Sequence, residues 1–160
     1  MINEPKDKIF EFFDNISINS PADFDEAVLG LRRFGRRIWI AGAVGAIDRA
    51  IESFSTYHFS EQLIAAHRAL QNWIRDPRPE NAELARRQYF PYRQLLNCDD
   101  IRNLSNRAAS FAVAAISETD EESFRLARVG MLSMAHEMVL GEKEAWSGIE
   151  KTIKSLFTRK

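Results

Sequence analysis

The 160-residue sequence is short of cysteine, proline and glycine, with one, five and seven respectively. A single cysteine, Cys98, excludes an internal disulfide and fits a reducing compartment. So few prolines and glycines leave little room for a long flexible linker, and the length suits one domain, 1–160, with a core of real size. Neither sign of charge prevails: 22 Lys and Arg stand against 23 Asp and Glu, a formal net charge of −1. Unspecific nucleic-acid binding requires a broad basic surface, so no direct nucleic-acid partner is expected.

Long hydrophobic runs are missing too. The longest, Ile38 to Ile47, is ten residues, whereas a membrane-spanning helix needs about 20. Arg32, Arg33, Arg36 and Arg37 precede it and lend it the look of an anchor, but its continuation into Asp48-Arg49 marks a buried core helix. The opening MINEPKDKIFEFF has acids and no apolar stretch, unlike a signal peptide. The expectation is a cytoplasmic protein with no membrane contact. Strand-length alternation of period two is also lacking, so no sheet is expected.

What the chain does have is helical periodicity. The stretch GRRIWIAGAVGAIDRAIESF, from Gly35 to Phe54, places Ile40, Val44, Ile47, Ile51 and Phe54 on one face. A second stripe, Trp39, Ala43, Ala46 and Ala50, is small enough to admit a neighbouring backbone. A helix apolar on most sides must be buried by several others, so this is the expected central helix of an all-α bundle. About six to seven helices follow from the caps and breakers. Ile9, Phe12, Phe13 and Ile16 form a first apolar face; Ser20-Pro21 opens a second helix over Phe24, Ala27, Val28 and Leu31; and Gly30 and Gly35 flank LRRF, where the chain can bend. Leu63, Ala66, Leu70 and Trp73 belong to a helix ending at Asp76-Pro77. The next starts near Glu80 and meets Pro91, which must kink or split it. Asp99-Asp100 caps a further helix through Phe111 and Ala115. SETDEES precedes one carrying Phe124, Ala127, Met131, Met134 and Met138, closed by Gly141. Trp146, Ile149, Ile153 and Leu156 define the last.

A shift of 42 residues lays Ala66, Ile74, Glu80 and Leu84-Ala85-Arg86 on Ala108, Ile116, Glu122 and Leu126-Ala127-Arg128. Two stacked helix pairs of the HEAT type are therefore an alternative form of the same all-α architecture.

No catalytic constellation stands out. The three imidazoles, His58, His67 and His136, form no His-x-x-x-His and no Glu-x-x-His, and with one thiol no metal or other cofactor is expected. Asp48 and Glu52 form a carboxylate pair at i, i+4; such pairs can do acid–base work when burial raises one pKa, but more often meet arginines, here Arg49, Arg86 or Arg128. Arg32, Arg33, Arg36 and Arg37 cover roughly 140° of helix surface; they could receive phosphate or an acidic protein, or form a solvated face. Tyr89, Phe90 and Tyr92 with Arg86, Arg87 and Arg93 combine the residue types enriched at binding hot spots.

The segments AHRALQNWIRDPRPENAELARR and RAASFAVAAISETDEESFRLARVGMLSMAHEMV, within about residues 60–140, have alanine-rich helices, a Trp before a turn, a charged restart and a closing Ala/His/Met helix. In this they resemble small all-helical immunity proteins of bacterial polymorphic-toxin systems. The resemblance implies a cytoplasmic protein that binds and blocks a cognate toxin, and it transfers no catalytic residue. A protein-binding module is thus the leading expectation, with Tyr89, Tyr92 and Arg93 as one candidate surface and the acidic turn Asp120, Glu121 and Glu122 as another. The alternative is a helical enzyme or small-ligand domain built on Asp48, Glu52 and neighbouring arginines.

Overall fold

The computed structural model describes residues 6–53, 61–89, 111, 114–115, 117–136 and 141–158. Among these there is no strand, and the architecture is all-α. In chain order the helices are α1 (Lys6–Asp14), α2 (Pro21–Gly30), α3 (Arg36–Ser53), α4 (Glu61–Arg75), α5 (Pro79–Tyr89), α6 (Asp120–His136) and α7 (Glu142–Ser155), with a 3-10 turn at Leu31–Phe34.

Local sequence explains where several of these begin and stop. Ser20 is extended and its hydroxyl accepts the Asp23 N–H at 3.1 Å, while Pro21 fills the first helical position. The bend between α2 and α3 passes through the 3-10 turn and Gly35, whose φ of 99° favours glycine. Asp76-Pro77 ends α4, and the Asn81 amide donates to the Asp76 carbonyl at 2.7 Å, holding the tight connection into α5.

α3 is the centre of the bundle. It packs most extensively on α7, then on α6 and α4. From Ile38 to Ile47 every residue is buried, which the sequence pattern anticipates. One continuous core runs from Ile9, Phe12 and Phe13 of α1 through Phe24, Val28 and Leu31 to Met131, Met134, Trp146, Ile149 and Ile153. The aromatic contacts within it are mostly edge-to-face, as ring quadrupoles prefer: Phe12 meets Phe34 at 5.4 Å and Trp39 meets Phe124 at 5.2 Å. Ser123, buried on α6, accepts the Trp39 indole N–H at 2.9 Å, so the polar edge of the ring is satisfied inside the core.

A main-chain contact with α7 falls on Gly45, beside the buried stripe of Trp39, Ala43, Ala46 and Ala50. A Cβ placed on Gly45 would strike the Gly148 carbonyl, and one placed on Gly148 would lie 2.5 Å from the Gly45 oxygen. α3 and α7 therefore cross main chain against main chain. The α4–α5 pair is present as one helical hairpin. Its proposed duplicate needs residues 101–116, most of which lie outside the described residues, as do Phe54, Pro91 and Met138.

Candidate functional site

The acidic turn sits at the start of α6. Thr119 caps the helix, its hydroxyl accepting the Glu122 N–H at 3.2 Å, and three carboxylates follow in the first turn, where the helix dipole favours negative charge. They do not behave alike. Asp120 accepts a hydrogen bond from Arg36 Nε at 2.9 Å, and Glu122 chelates Arg125 at 2.9 and 2.5 Å. The Arg125 hydrogen bond holds the Glu122 carboxyl below its ordinary value. Glu118 and Glu121 are exposed and make no ion pair among the described residues.

The same outward face of α6 continues through Arg125 to Val129, which is 49% exposed. At 3.6 residues per turn Glu122, Arg125 and Val129 share one stripe. Beside it Arg128 holds Asp25 of α2 at 2.9 Å, and one turn beyond Asp25 lies Leu29, 43% exposed. Two large apolar side chains are thus exposed near the Arg128–Asp25 pair, with Val129 about two turns along α6 from Glu121.

Of the other candidate surface, Tyr89 is the last residue of α5 and its side chain lies outside the described residues, as do Tyr92 and Arg93 entirely. The fold therefore supplies no geometry for the aromatic cluster.

Asp48 and Glu52 part company. Asp48 accepts from Gln71 Nε2 at 3.1 Å and from His67 Nε2 at 2.5 Å, both on α4. The other ring nitrogen of His67, Nδ1, is buried and has no hydrogen-bond partner among the described residues. Glu52 instead joins Arg49 at 3.1 Å, and Arg49 also bonds Glu144 of α7 at 2.8 Å. Glu144 and then Glu52 push the Arg49 guanidinium above its ordinary value. Arg128, a candidate partner of Asp48, is bound to Asp25 instead. Sequence spacing missed the His67–Asp48 contact because the two residues sit on different helices; the polar break that Asp48 makes in an apolar run was the one available signal.

The four-arginine patch divides. Arg36 donates to the carbonyls of Ala115 and Ser117 at 3.2 and 2.6 Å as well as to Asp120, and Arg37 donates to the carbonyls of Ile74 and, at 3.2 Å, Arg75. Helix C-terminal carbonyls lack intrahelical donors, so Arg37 closes the end of α4 and Arg36 closes the segment before α6. Arg33 stacks over Phe12 and Phe34 at 4.9 Å, and Arg32 lies 5.7 Å from the Phe124 ring. The patch is largely spent on holding helices together.

Among the described residues no group of three His, Cys, Asp or Glu side chains is placed to hold a metal, and no helix is long and apolar enough to cross a membrane. No family model, curated protein or solved structure matches this chain.

Proposed function

We propose that this chain is a protein-binding module, and in its most specific form an immunity-type inhibitor that neutralises a cognate bacterial toxin by direct binding. The observation that supports this reading is the outward side of α6: Glu118 and Glu121, with no ion pair among the described residues, stand at the helix start, and exposed Val129 and the Asp25–Arg128 pair lie about two turns further along. Carboxylates at a helix start beside an apolar anchor suit a partner that carries a cationic face with a hydrophobic pocket. Charge then steers the encounter while the buried anchor holds the complex. A toxin whose active site handles phosphates has such a cationic face, which the carboxylates would block.

The test is affinity capture from the native host with wild-type protein, a Glu118→Lys/Glu121→Lys double variant and Val129→Arg. One discrete protein retained by wild type and lost from both variants, at unchanged melting temperature, supports the reading. Equal capture by all three removes this face from consideration.

A second reading rests on a different observation, the buried His67 held by Asp48, since a carboxylate-oriented imidazole is a proton-transfer pair in many enzymes. It is the helical-enzyme or small-ligand alternative with His67 in place of Glu52. Turnover of a small molecule that Asp48→Asn abolishes, with no protein captured, would favour it.

A further inference from the structure

The α1–α7 side of the molecule carries charge of the opposite kind. α7 turns Lys143, Lys151 and Lys154 outward, and the segment after α1 lays Ile16 and Ile18 beside Trp146; together they line an open groove of about 440 Å³. Across Ile16 lies a second groove of about 550 Å³, walled by Lys8, Phe12, Arg33 and Phe34. Ile16 lines both, so the two form one trough with Ile16 at its middle. Its walls hold five cations against two carboxylates, Glu11 and Glu150, in a chain whose formal total is −1.

Not all of these charges are available. Lys154 holds Glu150 at 2.7 Å and lies over Phe10 and Phe13, and Arg33 is stacked on Phe12 and Phe34. Lys151 reaches Glu52 only at 4.0 Å, while Lys8 and Lys143 make no ion pair among the described residues. Pairing therefore cancels Glu150, and Glu11 offsets one of Lys8 and Arg33, so each end of the apolar floor keeps a net positive charge.

We infer that this trough binds an acidic peptide segment, a chain of alternating carboxylate and apolar side chains that seats an apolar residue against Ile16 and aligns its acids with Lys8, Lys143 and Lys151. The cations lie on two different helices, which suits an extended chain better than a single small anion. A single-stranded nucleic acid would satisfy the lysines, but it also needs aromatic faces on which bases stack. Trp146, Phe12 and Phe34 are each under 10% exposed, and Arg33 already covers two of them. The observations favour the peptide. This surface is separate from the α6 face, so its failure leaves the proposed function standing.

The experiment measures fluorescence anisotropy of a short labelled peptide of alternating Glu and Leu. Controls are the same peptide with Ser for Leu and an oligothymidylate of equal length. Wild type should bind the Glu/Leu peptide, more weakly as salt rises, and bind both controls at least about tenfold less tightly. Lys143→Glu/Lys151→Glu and Ile16→Ser should each weaken binding by about tenfold or more at unchanged melting temperature, with amide shifts on peptide addition centred on Ile16 and Trp146. Absence of peptide binding overturns the proposal, as does affinity unaltered in the variants. Oligothymidylate binding as tightly would replace the peptide with nucleic acid. Self-association that the double lysine variant abolishes would replace it with a second copy of the chain.

Discussion

Gly45 and Gly148 touch through their main chains, each occupying the space where the other's side chain would project. This contact lets α3 and α7 approach closely enough for Ile149 of α7 to lie against Gly42, which Met131 of α6 and Leu31 also border. Alanine at either position would gain about 1 kcal/mol of helix propensity. The new methyl would meet a backbone carbonyl, which cannot swing aside as a side-chain tip can. Gly45→Ala and Gly148→Ala should therefore each lower stability by about 1–3 kcal/mol in urea denaturation. Ile47→Ala, which only empties buried space, should cost about 2–5 kcal/mol. A Gly45→Ala protein as stable as wild type would contradict the crossing.

Arg36 and Arg37 serve backbone carbonyl oxygens in the segment before α6 and at the end of α4. Hydrogen bonds to a charged group contribute about 1.5–3 kcal/mol. Arg36→Ala should cost that much by chemical denaturation. Arg36→Lys should recover little of it, because an ammonium cannot reproduce a planar fork reaching two carbonyls and Asp120 at once. Full recovery with lysine would mean that charge alone matters there.

His67 and Asp48 predict an asymmetry. Removing the carboxylate with Asp48→Ala leaves a buried imidazole with neither nitrogen paired among the described residues, at a cost of about 1–3 kcal/mol. Removing the imidazole with His67→Leu eliminates an Nδ1 that has no partner among the described residues and leaves Asp48, about a third exposed, with Gln71 and solvent. That variant should melt at or above the wild-type temperature. Equal destabilisation by both would show that the imidazole itself contributes to stability.

Glu122 titrates below its ordinary value because Arg125 bonds its ionised form. A folded-state pKa lowered in this way adds stability that is fully present above pH 4.5 and is lost as the pH falls through the lower, folded value. Carbon-detected NMR titration should find Glu122 ionising below the ordinary glutamate range. Arg125→Ala should return Glu122 to that range.

Much of this architecture is determined by the sequence on its own. Ser20-Pro21, Gly35 and Asp76-Pro77 act within a few residues of themselves, through a cap, a positive φ and a restricted residue before proline, so they mark helix ends without help from the fold. The periodicity of Ile40, Val44 and Ile47 likewise states that α3 is buried, because no exposed helix tolerates so many apolar sides. The tertiary structure alone decided what the polar residues do. Arg36 and Arg37 read as a basic patch and became caps for distant helix ends; Asp48 read as half of a carboxylate pair and became the partner of His67. Gly45, outside the stripe of Trp39, Ala43, Ala46 and Ala50 that the pattern marked, became the crossing point with Gly148. Burial is encoded in a side chain's own chemistry and its period along the chain, whereas a hydrogen-bond or ion-pair partner is fixed only when folding brings remote segments within about 3 Å of each other.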